Sequence, residues 1–449
     1  MSAGSQASLA QGTVFTTGSG RRGTVDDLLG AGGQGEAYRV TLDGLAFALK
    51  WYHPQYVTID TGLRLRLERA VRRGAPTADF LWPIDLVDIP HSGSFGYFMK
   101  LRGPEYVSIR DLIAPPPRRL ELPLAQRATI CLQLANAFLE LHASGFCYQD
   151  INFGNIFIEA AQGRVLICDN DNVNVDGAEA SIYGTRKFMA PEVVRRECLP
   201  SSRTDLFSMA ILFFYILFGW HPLDGRREAE IQVLDADAEL RLYGADPLFL
   251  FDPHNPANGP MEGLHEPIVA RWRSLPEALR ALFVRAFGPG LQDPAARVLE
   301  TEWRAPLRTA AEASFPCGAC GFDHCADPQR GGLVLPDTCL SCGSRLEPPP
   351  MLCVRARTVA LTTGRTVPGD AIGLAGSPSG AAVEPHPSRP GIFGLRNLSG
   401  APWRVTLEDS SSHQVPPGQA VRIMAGTRIE FGRVTGIILN RSHIGGPSA

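Results

Sequence analysis

The run from Leu206 to Trp220, LFSMAILFFYILFGW, holds fifteen residues without one charged side chain. As a helix it is apolar on every face, so it cannot lie on a surface and other elements must enclose it. It is also shorter than the roughly 20 residues that a membrane-spanning helix needs. A chain of 449 residues can supply the enclosure, and its length corresponds to about three domains. The net charge of -3 argues against a protein held to nucleic acid by overall basicity.

Around that run the chain divides by pattern. Residues 1–20 are small and polar and read as a disordered tail. Between about Asp27 and Tyr106, apolar runs punctuated by Gly and Pro (YRVTL, LAFALKWY, FGYFMKL) read as strands. One helix interrupts them, over Leu63 to Arg73, with Leu63, Leu67, Ala70 and Val71 on one face. Residues 124–310 read as mainly helical. A Cys-rich piece spans about 315–347, and residues 353–445 carry alternating apolar residues with Gly-centred turns, the pattern of a small all-β domain.

Gly30-Ala-Gly32-Gly33-Gln-Gly35 matches G-x-G-x-x-G, where missing Cβ atoms let backbone N–H groups approach phosphate oxygens. Taken alone it is equally a plain turn. Fifteen residues on stands Lys50, one of only three Lys among 43 basic residues. A Lys inside an apolar strand, in a chain that otherwise uses Arg, suggests a point charge; the bland alternative is a snorkelling side chain. Tyr148-Gln149-Asp150-Ile-Asn152-Phe-Gly-Asn155 places a carboxylate five residues before an amide. Asp169 ends the apolar run RVLICD, Ala190-Pro191-Glu192 follows, and Asp205 opens the apolar helix.

In this order and at these spacings the pieces resemble the protein kinase signature set: Gly-rich loop, strand Lys, H-R-D-x-x-x-x-N, D-F-G and A-P-E. The resemblance covers about residues 25–310 and implies an α+β, two-lobed kinase fold over 21–312, with lobes 21–110 and 111–312. It implies that Gly30, Gly32, Gly33 and Gly35 cover the ATP phosphates and that Lys50 holds the α- and β-phosphates. Glu68, the one acidic residue on the 63–73 helix, is the expected partner of Lys50. Asp150 would orient the acceptor hydroxyl, Asn155 and Asp169 would hold Mg²⁺ or Mn²⁺, and Met99 to Leu101 would receive adenine.

The departures carry information too. Tyr148 and Gln149 replace the His and Arg of H-R-D, Asn152 replaces the usual Lys, and D-F-G has become Asp169-Asn170-Asp171. In the family that Arg pairs with a phosphorylated activation loop, so Gln149 suggests control of another kind. The alternative class is a nucleotide-binding pseudokinase scaffold; against it, Lys50, Asp150, Asn155 and Asp169 all remain. Gly184-Thr185 ahead of Ala190-Pro191-Glu192 resembles the peptide-docking segment of Ser/Thr protein kinases, and Ser181, Tyr183 and Thr185 are candidate phosphorylation sites.

Cys317-Gly-Ala-Cys320 and Cys339-Leu-Ser-Cys342 are two C-x-x-C pairs with 18 residues between them, the spacing of a zinc ribbon, expected over 313–350. His324, Cys325 and Cys353 are further ligand-type residues expected to be bystanders. The start of the chain lacks the charged and apolar stretches of a signal peptide, so a cytoplasmic location, and metal rather than disulfides, is expected. The last segment (351–449) holds ten Arg and no Lys between 353 and 445, against five acidic residues. Gly364-Arg365, Ser411, His413 and Asn440 follow the order of a forkhead-associated (FHA) motif, while strand number equally suits an oligonucleotide-binding (OB-like) barrel. The whole layout resembles bacterial kinases of the tellurite-resistance-associated phosphorylation triad. That implies protein substrates, a TerY-like von Willebrand A protein and a metal-dependent phosphatase as partners, with nucleic acid a further candidate and no membrane contact.

Overall fold

Alternating burial organises the first hundred residues of this computed structural model, which describes residues 7–176, 183–329, 332–374, 376–377 and 379–441. Strands β1 (Val14–Thr17), β2 (Arg22–Ala31), β3 (Gly35–Leu42), β4 (Leu45–Tyr52), β5 (Asp85–Asp88) and β6 (Phe95–Lys100) close into an antiparallel barrel, ordered β1-β2-β3-β4-β6-β5. Phe15, Val25, Tyr38, Val40, Leu49, Trp51 and Phe98 fill it. Helix α1 (Pro54–Ile59) and helix α2 (Leu63–Arg73) follow β4, and α2 buries Leu63, Leu67 and Ala70 of the expected face, with Val71 half-buried.

Residues 7–20 are not simply a tail. Phe15 faces Gly23 across the β1–β2 pair, and a Cβ at Gly23 would lie 2.5 Å from the Phe15 ring. On its other edge β1 pairs with β5, so it closes the barrel. Upstream, the Leu9 N–H donates to the Tyr38 hydroxyl at 2.9 Å. Small polar neighbours hide the Val14–Thr17 alternation, and only long-range pairing gives it a partner strand.

The chain groups into two compact units. The first comprises Met1–Leu122, Ile130–Gly259 and Val284–Thr301; the second comprises Pro123–Thr129, Pro260–Phe283 and Glu302–Ala449. The division does not fall at 312, because helical residues before that point belong with the Cys-rich and strand-forming segments. In the first unit lie β7 (Val107–Ser108), β8 (Phe146–Cys147), β9 (Ile156–Glu159), β10 (Arg164–Ile167) and β11 (Asn174–Val175). Helix α3 (Leu124–Ala143) begins in the second unit and continues into the first. Helix α4 (Pro191–Val194) precedes α5 (Ser202–Phe218), in which every side chain from Thr204 to Phe218 except Tyr215 is buried. Among the described residues no helix is long and apolar enough to cross a membrane.

In the second unit, strands between Met351 and Leu439 form a six-stranded and a four-stranded sheet that share one core, including Leu352, Val383, Leu395, Trp403 and Ile429. Two open sheets are not the closed barrel of an OB-like fold, and that expectation is corrected. Strand number was compatible with both, and pairing order separates them. Buried Asn397 replaces backbone partners where the loops meet: its amide donates to the Ala401 and Val415 carbonyls at 2.9 and 3.1 Å.

Removing the Phe15 ring should leave a cavity in the barrel. Phe15→Ala is expected to cost about 3 kcal/mol, read from the denaturant midpoint. Val14→Ala, on the exposed face of the same strand, should be nearly silent. Equal indifference to both would mean that β1 contributes nothing to the fold.

Candidate functional site

The site is built outward from Asp205, buried in the first turn of α5. Its carboxylate accepts from the Tyr148 N–H at 2.5 Å and the Gln149 N–H at 3.0 Å, and lies 3.1 Å from His142 Nε2. His142 meets Glu300 through Nδ1. Burial opposes charge on this imidazole, but hydrogen bonds to both carboxylates outweigh it and raise His142 to about 9. Gln149 has φ 72°, so the chain turns sharply as Asp205 grips it. Tyr148 stands on Phe138 edge-on and donates its hydroxyl to the Cys168 carbonyl, joining this loop to the residue before Asp169.

Beyond the turn, Asp150 and Asn155 come together. The Asn155 amide donates to the Asp150 carbonyl at 2.9 Å and lies 3.5 Å from its carboxylate, which turns the Asn155 Oδ1 elsewhere. Asn152 caps the loop, with Oδ1 accepting from the Gly154 N–H at 2.7 Å. Thr185 Oγ1 donates to Asp150 Oδ1 at 2.9 Å, an alcohol on the carboxylate. Gly184 is required beside it: φ is 98°, and a Cβ would lie 2.8 Å from the Gln149 carbonyl oxygen. Glu192 is held at 2.8 Å by Arg297, a partner with no signal in the sequence. Tyr183 is exposed, and Ser181 lies outside the described residues.

The Gly-rich segment is the β2–β3 hairpin. Gly32 N–H donates to the Gly35 carbonyl at 2.8 Å, and a Cβ at Gly35 would sit 2.2 Å from the Trp51 carbonyl oxygen. Gly30 and Gly33 have no neighbouring atom within 4 Å of such a Cβ. Below them Lys50 Nζ contacts Gln34 at 2.9 Å, Asp171 at 2.8 Å and Asp169 at 3.4 Å. Met99, opposite Ala48 in the β4–β6 pair, shares an apolar cluster with Ala48, Leu101 and Leu166.

Glu68 is not where the sequence expectation put it. It lies on the outer face of α2, its side chain 44% exposed, 3.5 Å from Arg64. Leu63, Leu67 and Ala70 turn the opposite face inward, so helix periodicity carries Glu68 outward. The carboxylate buried against Lys50 is Asp171, which accepts from Tyr52 at 2.6 Å and has the Tyr97 hydroxyl 3.4 Å away. Its one sequence signal is the departure from D-F-G. Partial loss of surrounding water raises the Asp169 carboxyl, an effect Lys50 opposes and neighbouring Asp171 reinforces. The oxygens of Asp169 and Asn155 are a donor set suited to a hard divalent cation.

The sulfur atoms of Cys317, Cys320, Cys339 and Cys342 lie within 4.8 Å of one another. Cys317–Cys342 and Cys320–Cys339 are separated by 3.9 and 3.6 Å. Tetrahedral zinc with Zn–S bonds of about 2.3 Å requires sulfur separations of about 3.8 Å, so the group fits. The two turns match: Gly321 N–H donates to the Cys317 carbonyl and Gly343 N–H to that of Cys339, each at 2.9 Å. His324 Nε2 lies 3.3 Å from Cys339 Sγ, while Cys325 meets the Thr309 carbonyl and Cys353 meets Thr358. Hydrogen bonds from Ser344 lower Cys342 to about 6, favouring the thiolate a metal needs. Elsewhere in this unit Arg365 Nη1 donates to the Ala311 and Glu312 carbonyls at 3.2 and 2.5 Å, so one arm of its guanidinium is engaged within the chain.

Two outcomes follow from these arrangements. The fold binds the His142 proton more tightly than the unfolded chain, whose imidazole titrates near 6.5. Its contribution is therefore complete below about pH 6.5 and lost as pH rises through about 9. Denaturant midpoints from pH 6 to 10 should show a decline of about 3 kcal/mol that His142→Gln lacks. Elemental analysis should find about one zinc per chain, and Cys317→Ser or Cys342→Ser should lose it together with protease resistance of the Cys-rich piece. A metal-free protein with that resistance intact would count against zinc.

The protein kinase domain model matches residues 24–258. CBL-interacting protein kinase 4 of Oryza sativa subsp. japonica is 29% identical over 126 residues, covering 27% of this chain and 27% of that protein. Serine/threonine-protein kinase pkn2 of Myxococcus xanthus is 26% identical over 210 residues, covering 44% of this chain and 24% of that one. The chain therefore spans about a quarter of the length of either relative. The Mycobacterium tuberculosis PknI kinase domain aligns with a TM-score of 0.42 and 22% identity, over 68% of this chain and 99% of that one. More than half of the sequence lies within the family match, and the chain belongs to the protein kinase domain family.

Proposed function

We propose that this chain is an ATP- and Mg²⁺-dependent serine/threonine protein kinase. The observation that carries the reading is the Thr185 hydroxyl on the Asp150 carboxylate, at 2.9 Å, in the geometry an acceptor alcohol needs. In the reaction an acceptor hydroxyl oxygen forms the new bond to the γ-phosphorus, and the bond to the β,γ-bridging oxygen breaks to release ADP. Asp150 orients that hydroxyl and takes its proton. Asn155 and Asp169 would hold Mg²⁺ or Mn²⁺, which neutralises charge on the phosphates when bound. Lys50 steadies the α- and β-phosphates, the Gly30–Gly35 hairpin covers them with backbone N–H groups, and the apolar face at Met99 and Leu101 receives adenine.

Gln149 is neutral and gripped through its backbone, so it supplies no cation to a phosphorylated activation segment. Activity without prior phosphorylation is the corollary. In the second unit the four cysteines hold structural zinc, leaving no open position for chemistry. The Arg-rich strand segment and this ribbon are proposed to read protein partners in the cytoplasm, a TerY-like von Willebrand A protein and a metal-dependent phosphatase among them, on the strength of the shared layout.

Lys50→Ala, Asp150→Ala and Asp169→Asn should each lower phosphate transfer to a generic Ser/Thr peptide by about a hundredfold or more. Asp150→Ala should keep nucleotide binding. Mass spectrometry after incubation with Mg²⁺ and ATP supplies the readout. Wild-type protein that binds ATP and transfers nothing, or variants as active as wild type, would overturn the assignment.

A further inference from the structure

Lys50 has three N–H donors and three oxygen partners, on Gln34, Asp171 and Asp169. Of the two carboxylates facing it, Asp169 has a side chain 43% exposed and 3.4 Å away, whereas that of Asp171 is 1% exposed and 2.8 Å away. A buried ion pair is useful only if its other valences are met. Here Tyr52, 2.6 Å from the same Asp171 oxygen, and Tyr97, 3.4 Å from the other, meet them. Burial and the Asp171 charge both keep these phenols protonated as donors.

The turn that carries Asp171 is itself anchored. Asp169 has φ 50°, and the Asn170 side-chain amide donates to the Leu81 and Ile167 carbonyls at 2.8 and 3.0 Å. One short turn thus delivers a solvent-facing carboxylate and, two residues later, a buried one.

We propose that Asp171, rather than a carboxylate on α2, is the positioning residue that aims Lys50 at the nucleotide phosphates. The proposal rests on the kinase reading above and deepens it. Asp171 and the Asp169 carboxylate, proposed to bind the cation, are set together by the Asn170 turn. Glu68 on α2 is engaged with Arg64, which in turn pairs with Asp88 at 2.7 Å.

The test measures binding of Mg²⁺–ATP by titration calorimetry and, separately, peptide phosphorylation, in the full chain. Asp171→Asn should weaken nucleotide binding about tenfold or more, and Tyr52→Phe, which keeps both charges, by about threefold. Glu68→Gln should stay within about twofold of wild type. In a Lys50→Met background Asp171→Asn should add almost nothing, because it acts through Lys50; a residue serving only the fold would still move that variant. Circular dichroism confirms folding, and if Asp171→Asn does not fold, Tyr52→Phe against Glu68→Gln decides. Binding unchanged in the decisive variant, or lost in Glu68→Gln, overturns the proposal. Wild type that binds with this ranking yet transfers no phosphate keeps Asp171 as the positioning residue and removes the kinase reading. Wild type that binds no Mg²⁺–ATP removes both.

Discussion

A carboxylate buried in the first turn of an apolar helix is costly unless its oxygens are bonded, and Asp205 depends on the loop that passes over it. Two backbone N–H groups and one imidazole meet that requirement, and in doing so they set the bend at Gln149. Asp150 follows directly, which is why its carboxylate emerges where Thr185 can reach it. Packing around α5 holds Asp205 in place, so the apolar helix acts as the fixed base of the site. The same principle explains His142: two carboxylates share it, and a neutral imidazole there would leave an acid without its counter-charge.

Above that base, the parts proposed to face phosphate come from distant stretches held by ordinary strand pairing. Lys50 lies opposite Ala37 on one side and Tyr97 on the other, so barrel register places the ammonium below the Gly-rich hairpin and beside a phenol. Asp171 arrives from a position 121 residues later and completes the pair. This arrangement differs from the usual kinase pattern in where the anion comes from: a turn just after Asp169 rather than a helix. A buried pair ringed by hydroxyl donors is rigid, and rigidity suits a group proposed to meet phosphate oxygens repeatably.

The second unit uses two other means of holding short segments together. Around the cysteines, each knuckle is closed by the backbone and sulfur chemistry of four or five residues, with Leu346 and Phe322 the modest apolar backing. In the strand-forming segment a continuous apolar core does the work, and arginine joins it to its surroundings. Arg357 pairs with Glu312, and Arg441 with Asp337 while donating to the Leu346 carbonyl at 2.8 Å. Part of the positive charge counted along the sequence is thus engaged within the chain. The Arg excess of the 353–445 segment alone would have suggested a surface for anions.

Features that depend on neighbours a few residues apart were legible in the sequence. The strands around YRVTL, LAFALKWY and FGYFMKL, the face of α2, the enclosed helix and the two C-x-x-C turns all rest on local periodicity or on chemistry within one turn. The kinase family was legible from an ordered set of motifs, because their spacing survives where their identities drift. Long-range pairing was not: β1 needed β2 and β5 to be seen as a strand, and Glu192 needed Arg297, 105 residues away. By itself the sequence determined which side chains could carry charge to a phosphate, a hydroxyl or a metal. Only the tertiary structure decided which acid Lys50 meets, since burial and distance, and not the helix on which an acid stands, choose between Glu68 and Asp171.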